Sequence, residues 1–104
     1  LPLLTQLSQR AWCHLDNARR YTIAWPSERA HHVRLFCAVP LALAMATLRH
    51  IEGGSDVLTA QKNPKISRSL VMELIQHAPA AASDDAALDE LFRFASQPVT
   101  VRLD

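Results

Sequence analysis

Net charge of either sign is almost missing from this chain: 11 Lys and Arg stand against 10 Asp and Glu in 104 residues, a balance of +1. A dedicated nucleic-acid binder carries a clear basic excess, so that class is excluded. Cysteine is scarce. Cys13 and Cys37 are the only two, and no Cys-x-x-Cys or His-x-x-x-His spacing accompanies them or the five histidines. A structural zinc site has nothing to be built from. The nucleophile-elbow signal of a serine hydrolase is missing. No apolar core follows Leu1–Leu4 as a secretory leader requires. Glycine is limited to the adjacent pair Gly53 and Gly54, and no internal repeat is present.

What the chain does hold is apolar and helical. Hydrophobic residues make up 49% and charged residues 20%, an ordinary globular balance for at most one small domain. The longest apolar run is Leu35 to Leu48, with Thr47 its one polar side chain. Its Ala, Leu and Met favour helix. Wound as a helix, Phe36, Pro40, Leu43 and Thr47 form one stripe, Cys37, Ala44 and Leu48 lie beside it, and Leu41, Ala42, Met45 and Ala46 fill the opposite side. The run is shorter than the roughly 20 residues that cross a bilayer. A helix apolar all round must be covered all round, so it reads as a central core helix, with Pro40 a kink or a late first-turn position.

Three further helices accompany it. The first runs from Leu3 to Trp25 on the stripe Leu4, Leu7, Ala11, Leu15, Ala18, Thr22 and Trp25, with an i,i+4 pair Asp16–Arg20 outside it, and Pro26 ends it. The central helix starts near Ser27 as N-cap with Glu28 in its first turn, passes the polar, basic group Arg29, His31, His32 and Arg34, and stops near Glu52 at the Gly53–Gly54 cap. A third helix spans Ser67–Ala78 on Leu70, Val71, Leu74, Ile75 and Ala78. Pro79 and three alanines then lead to Ser83 as N-cap of a fourth helix reaching Gln97, with Leu88, Leu91, Phe92 and Ala95 inward. Residues 55–66 are irregular, with a helical turn over 55–58, and the tail from Pro98 is extended. Both cysteines lie in apolar helical patterns and read as buried thiols of a cytosolic protein. Three partners are too few to surround the central helix. The chain also opens on Leu1 rather than Met. The expectation is therefore a portion of a longer helical protein, or a chain that self-associates.

The order Phe36-Cys37-Ala38-Val39-Pro40, then Ala44-Met45-Ala46-Thr47-Leu48, then Lys65-Ile66-Ser67-Arg68 resembles the C-terminal third of squalene synthases, over residues 10–78. The Phe-Cys-x-x-Pro run followed by the Lys-Ile-x-Arg/Lys segment is specific in combination. The resemblance implies an all-α fold in which residues 1–104 are the C-terminal helical part of a squalene/phytoene synthase-like catalytic domain of the isoprenoid synthase fold. It implies a parent enzyme that condenses two farnesyl diphosphates head to head through presqualene diphosphate and reduces that cyclopropyl intermediate with NADPH to squalene. Phytoene and dehydrosqualene synthases share the fold without the reduction, and the Phe-Cys-Ala-Val-Pro run favours squalene synthase. By the same resemblance Tyr21, Phe36, Cys37 and Pro40 are substrate-binding positions of the prenyl pocket, and Lys65 and Arg68 face the nicotinamide cofactor. Magnesium (Mg2+) is held in that family by two aspartate-rich helical motifs ahead of the Phe-Cys stretch. The sequence Asp85-x-x-x-Asp89 comes after it and reads as helix capping, so no metal ligand and no catalytic residue is assigned in this chain, and the portion alone is expected to be inactive. A cytoplasmic location, with membrane association open to the parent enzyme, goes with that reading.

The residues themselves agree in part. A farnesyl chain needs a long apolar slot, and aromatic walls suit allylic cations. Lys62, Lys65 and Arg68 stand in a stretch without an acid between Asp56 and Glu73, as a phosphate-facing loop would. Without the resemblance, Phe36, Cys37 and Pro40 are core, Tyr21 is a core or interface residue, and the loop is solvated. The alternative function is a non-catalytic helical protein-interaction module.

Overall fold

A computed structural model describes residues 2–53 and 66–97. Its elements are α1 (Pro2–Ala24), α2 (His31–Gly53), α3 (Arg68–Ala81) and α4 (Asp85–Ala95). The described residues contain no strand, so the protein is all-α, a bundle of four helices. The turn expected over 55–58, most of the irregular segment and the tail from Pro98 lie outside the described residues.

Local chemistry accounts for the helix ends, with four corrections. α2 begins at His31, not Ser27. Residues 27–29 form a turn, closed by Ala30 N–H donating to the Pro26 carbonyl at 2.9 Å. The turn keeps the carbonyls of Ile23 and Trp25 out of helical bonding, and Arg34 takes both of them. α3 starts where expected, with the Ser67 hydroxyl accepting from Leu70 N at 3.1 Å. It does not stop at Ala78 but continues through Pro79 to Ala81. Proline withholds an N–H only from the carbonyl four residues back. That carbonyl belongs to Ile75, on a solvent-facing position, and the alanines that follow are strong helix formers. The N-cap of α4 is Asp84, whose carboxylate accepts from Ala87 N at 2.9 Å, because the Ser83 hydroxyl turns back to the Pro79 carbonyl. α4 ends at Ala95 instead of Gln97, where the Ser96 hydroxyl returns to the Phe92 carbonyl at 2.8 Å.

α2 is the central helix and packs against the other three. α3 pairs with α4, and α1 touches α2 and α4 but not α3. One side of α2 supplies Ala38, Leu41, Ala42, Met45 and Ala46 to the core. Leu70, Leu74, Ala78 and Ala81 come from α3, and Leu88, Leu91, Phe92 and Ala95 from α4. Among the described residues, eight of the fifteen buried hydrophobic ones are alanine, so the helix axes can approach closely. The opposite side of α2 is open, with Phe36 80% exposed and Pro40 and Ala44 also facing out. The all-round burial expected from composition therefore does not occur within this chain. With 23 residues, α2 has the length and apolarity of a membrane span, which the shorter run lacked. Within this chain it packs against three helices through one side only.

α1 keeps the middle of the expected stripe, with Thr22 buried and Leu15 and Ala18 against the core beside Trp12 and Ile23; its two ends differ, since Leu7 is 55% exposed and Trp25 faces solvent. Cys13 is exposed rather than buried, because the next position along a helix points about 100° from the inward Trp12. Cys37 is half-buried.

Phe92 is almost fully buried within this core. The substitution Phe92→Ala should lower unfolding stability by roughly 3–5 kcal/mol, measured by urea denaturation followed by circular dichroism. A loss below about 1 kcal/mol would show the core to be loosely packed at that point.

Candidate functional site

The open side of α2 and the adjoining side of α1 form a groove of about 600 Å³. It is walled by Ala11, His14 and Leu15 from α1 and by Pro40, Leu43, Ala44, Thr47, Leu48 and Ile51 from α2. The helices run antiparallel, as the hydrogen bonds from Ser8 and Trp12 in α1 to Glu52 at the far end of α2 require. The floor is apolar because its one hydroxyl is turned away: Thr47 Oγ1 donates to the Leu43 carbonyl at 2.7 Å. No Asp, Glu, Lys or Arg lines it. Phe36, one turn before Pro40, extends the groove at the α2 N-terminal end, and Leu7, one turn before Ala11, extends it at the other. This size and lining match sites for small apolar ligands.

The expected substrate positions divide over this surface. Pro40 lies in the wall and Phe36 beside it with its ring exposed. Cys37 is half-buried on the same helix. Tyr21 is exposed near the α1–α2 turn, its ring edge-on to Trp25 at 5.9 Å between centroids. The reading of Phe36 and Pro40 as simple core is overturned for this chain by their exposure. Lys65 lies outside the described residues, and Arg68 is exposed at the first position of α3.

Two polar networks hold the walls. Arg49 stacks over the Trp12 ring at 4.6 Å and donates to the Ser96 carbonyl at 2.7 Å and to Glu52 at 2.8 Å, tying α1, α2 and the end of α4 together. Arg19 bridges Asp16 and Asp89 at 2.9 and 3.1 Å, with Arg20 on Asp16 as expected and Arg93 on Asp89.

Arg34 is the residue that reading by polarity alone misplaced. It belongs to the polar, basic group at the start of α2, yet its side chain is fully buried. Nη1 donates to the Trp25 carbonyl at 2.7 Å and to Asp85 Oδ1 at 2.8 Å, with the Ile23 carbonyl at 3.4 Å. Nε and Nη2 have no partner among the described residues. The signal was present: Arg34, Ala38, Leu41 and Met45 follow spacings of four, three and four, the buried side of α2.

Asp85 and Asp89 are each engaged by a guanidinium, Arg34 for the first and Arg19 and Arg93 for the second. No group of His, Cys, Asp or Glu among the described residues could hold a metal ion. The resemblance places the magnesium ligands of the parent enzyme ahead of the Phe-Cys stretch, and no described residue is assigned to the ion. Compared with models of known families, with curated proteins and with solved structures, the chain matches none.

The Arg34–Asp85 pair gives a direct test of the buried charge. Breaking a fully buried pair costs about 3–5 kcal/mol. Asp85 is 70% exposed and Trp25 still accepts from Arg34, so Asp85→Asn should cost only roughly 1–3 kcal/mol. Adding Arg34→Met should cost less than the sum of the two single changes. Urea denaturation of the four-membered cycle measures this, and strict additivity would mean that the two groups do not interact.

Proposed function

We propose that the chain is the C-terminal helical part of a squalene synthase-like enzyme and that its α1/α2 groove is one wall of the prenyl slot. The observation that carries the reading is the position of Phe36 and Pro40. Of the four positions that match the family's pocket, Pro40 lines the open apolar groove and Phe36 is exposed one turn before it, neither in the closed core. In the whole enzyme the groove would be covered by upstream helices carrying the aspartate-rich motifs. The enclosed slot would then hold a farnesyl chain by burial alone, at roughly 0.8 kcal/mol per methylene. The ring of Phe36 would face the allylic cation left when diphosphate departs. Squalene is the proposed product; phytoene or dehydrosqualene synthase would use the same wall without reduction.

Lys65 and Arg68 are assigned to NADPH. Arg68 is a cation in the first turn of α3, where the helix dipole disfavours it by a few tenths of a kcal/mol. The free N–H groups there favour an anion, and a visiting cofactor phosphate accounts for both. In an enzyme that joins this chain to its upstream part, Lys65→Ala and Arg68→Ala should raise the KM for NADPH. They should let presqualene diphosphate accumulate while farnesyl diphosphate is still consumed. Product analysis over a range of NADPH tests this, and unchanged squalene formation in both variants rejects the assignment.

The second reading, a helical interaction module, draws on the same exposed face. Leu3 at 68%, Leu7 and Phe36 are more exposed than large apolar side chains on a settled surface. Either reading requires a cover. The isolated chain should therefore self-associate at micromolar concentration in sedimentation equilibrium, and Phe36→Glu should shift it toward monomer. A wild-type monomer that stays folded would show that the face tolerates water and needs no partner.

A further inference from the structure

The open side of α1 and α2 is spaced for a helix. From α1 and the residue after it, Leu7, Ala11, His14, Ala18, Tyr21 and Trp25 follow one another at four, three, four, three and four positions. On α2, Phe36, Pro40, Leu43, Thr47 and His50 follow at four, three, four and three. That is the repeat by which one helix seats another. Among the described residues seven large apolar side chains are exposed, and five of them, Leu3, Leu7, Tyr21, Trp25 and Phe36, come from these two helices and the start of the turn between them. From Phe36 to Ile51 the face follows about 22 Å of helix, roughly four turns.

The ionisable groups that border this face are all basic. Arg10 adjoins the α1 stripe one turn before His14, and on α2 His32 stands one turn before Phe36, with His50 at the far end. None of these four has a hydrogen-bond or ion-pair partner among the described residues. The described carboxylates are elsewhere. Asp16 is on the opposite side of α1, held by Arg19 and Arg20. Glu52 accepts from Ser8, Trp12 and Arg49. Glu28 lies in the connecting turn beside Arg29, and Glu73 lines the groove between α3 and α4. The others belong to the start and body of α4, which packs on the closed side of α2. A second copy of the chain could cover the apolar floor, but it would bring the same basic groups and no carboxylate to meet them.

We propose that the α1/α2 face docks an amphipathic helix of a partner protein, with the partner's apolar stripe in the groove and Asp or Glu on its flanks against Arg10, His14, His32 and His50. The proposal names the partner class of the interaction-module reading and rests on it. Helix-in-groove docking takes its affinity from the apolar anchors and its selectivity from the flanks. The test titrates the whole chain into three fluorescent helical peptides of about four turns, alike in a heptad-spaced leucine stripe and flanked by Glu, Gln or Lys, with anisotropy as the readout. Self-association of the chain competes with all three equally, so the ratios are the measure. The Glu peptide should bind at least about threefold tighter than the Gln peptide, with the Lys peptide weakest. Imidazoles gain positive charge on acidification, so the preference should be wider at about pH 6 than at about pH 8. Arg10→Glu, an exposed change with no partner to lose, should erase the preference. Ala44→Gln places an amide on the exposed floor and should weaken the three alike. Sedimentation should show the Glu peptide replacing self-association with a one-to-one complex. Equal affinity for the three peptides, or binding indifferent to Ala44→Gln, would overturn the proposal and leave the interaction-module reading standing. Self-association that the Glu peptide does not displace would make a second copy the occupant and overturn it too. Absence of binding by every peptide would remove both the proposal and that reading, and the Arg10→Glu result decides the matter of charge even if Ala44→Gln fails to fold.

Discussion

Burial of one side of α2 is the constraint on which the rest of this fold depends. Ala38, Ala42 and Ala46 leave little side chain between α2 and its neighbours, and Leu41 and Met45 fill what remains. Close approach multiplies contacts that are individually weak, so the α3–α4 pair has one favourable position against α2. At the N-terminal end of that same side stands Arg34. A guanidinium there must be paired or it costs several kcal/mol. The chain supplies the Trp25 and Ile23 carbonyls by curling through residues 26–30, and Asp85 by bringing the start of α4 to the same point. The α1–α2 turn, the first turn of α4 and the packing of α2 are thus one arrangement.

The same constraint leaves α2 with a second side that nothing in the described residues covers. A groove without charge, a hydroxyl folded onto its own backbone and an exposed aromatic at one end make a surface that water disfavours. That is a cost in a free-standing domain and an asset in a pocket wall. The networks around Arg49 and Arg19 hold α1 against α2 and α4 from the sides, so the groove is braced without an Asp, Glu, Lys or Arg being placed inside it. A wall of this kind can accept an alkyl chain or another helix, since burial is non-directional.

Much of this was legible from residue order. Four helices, the stripe of α4, the Leu70, Leu74 and Ala78 part of the α3 stripe (Ile75 faces solvent instead), the end of α1 before Pro26 and the Ser67 cap follow from periodicity and from which groups can satisfy a free helix end. The open side was also foreshadowed, because a helix apolar all round had too few partners in the chain to surround it. The stripe Phe36, Pro40, Leu43 and Thr47, written from spacing alone, is the side that faces the groove.

Tertiary structure decided the remainder. Periodicity states which residues share a side but not which of two apolar sides wins burial. On α2 the small alanines prevailed over Phe36, and on α1 Trp12 packs against the core while Leu7 is left exposed, because closeness of packing depends on what stands opposite. Caps moved by one residue, from Ser83 to Asp84, when the Pro79 carbonyl offered the serine another partner. Arg34 became the buried residue that joins three segments because its acceptors lie 9 and 51 positions away, a proximity that no local pattern encodes. Sequence determined the helices and the apolar supply; the fold determined which charge was buried and which apolar side was left open, since both depend on contacts between residues far apart in the chain.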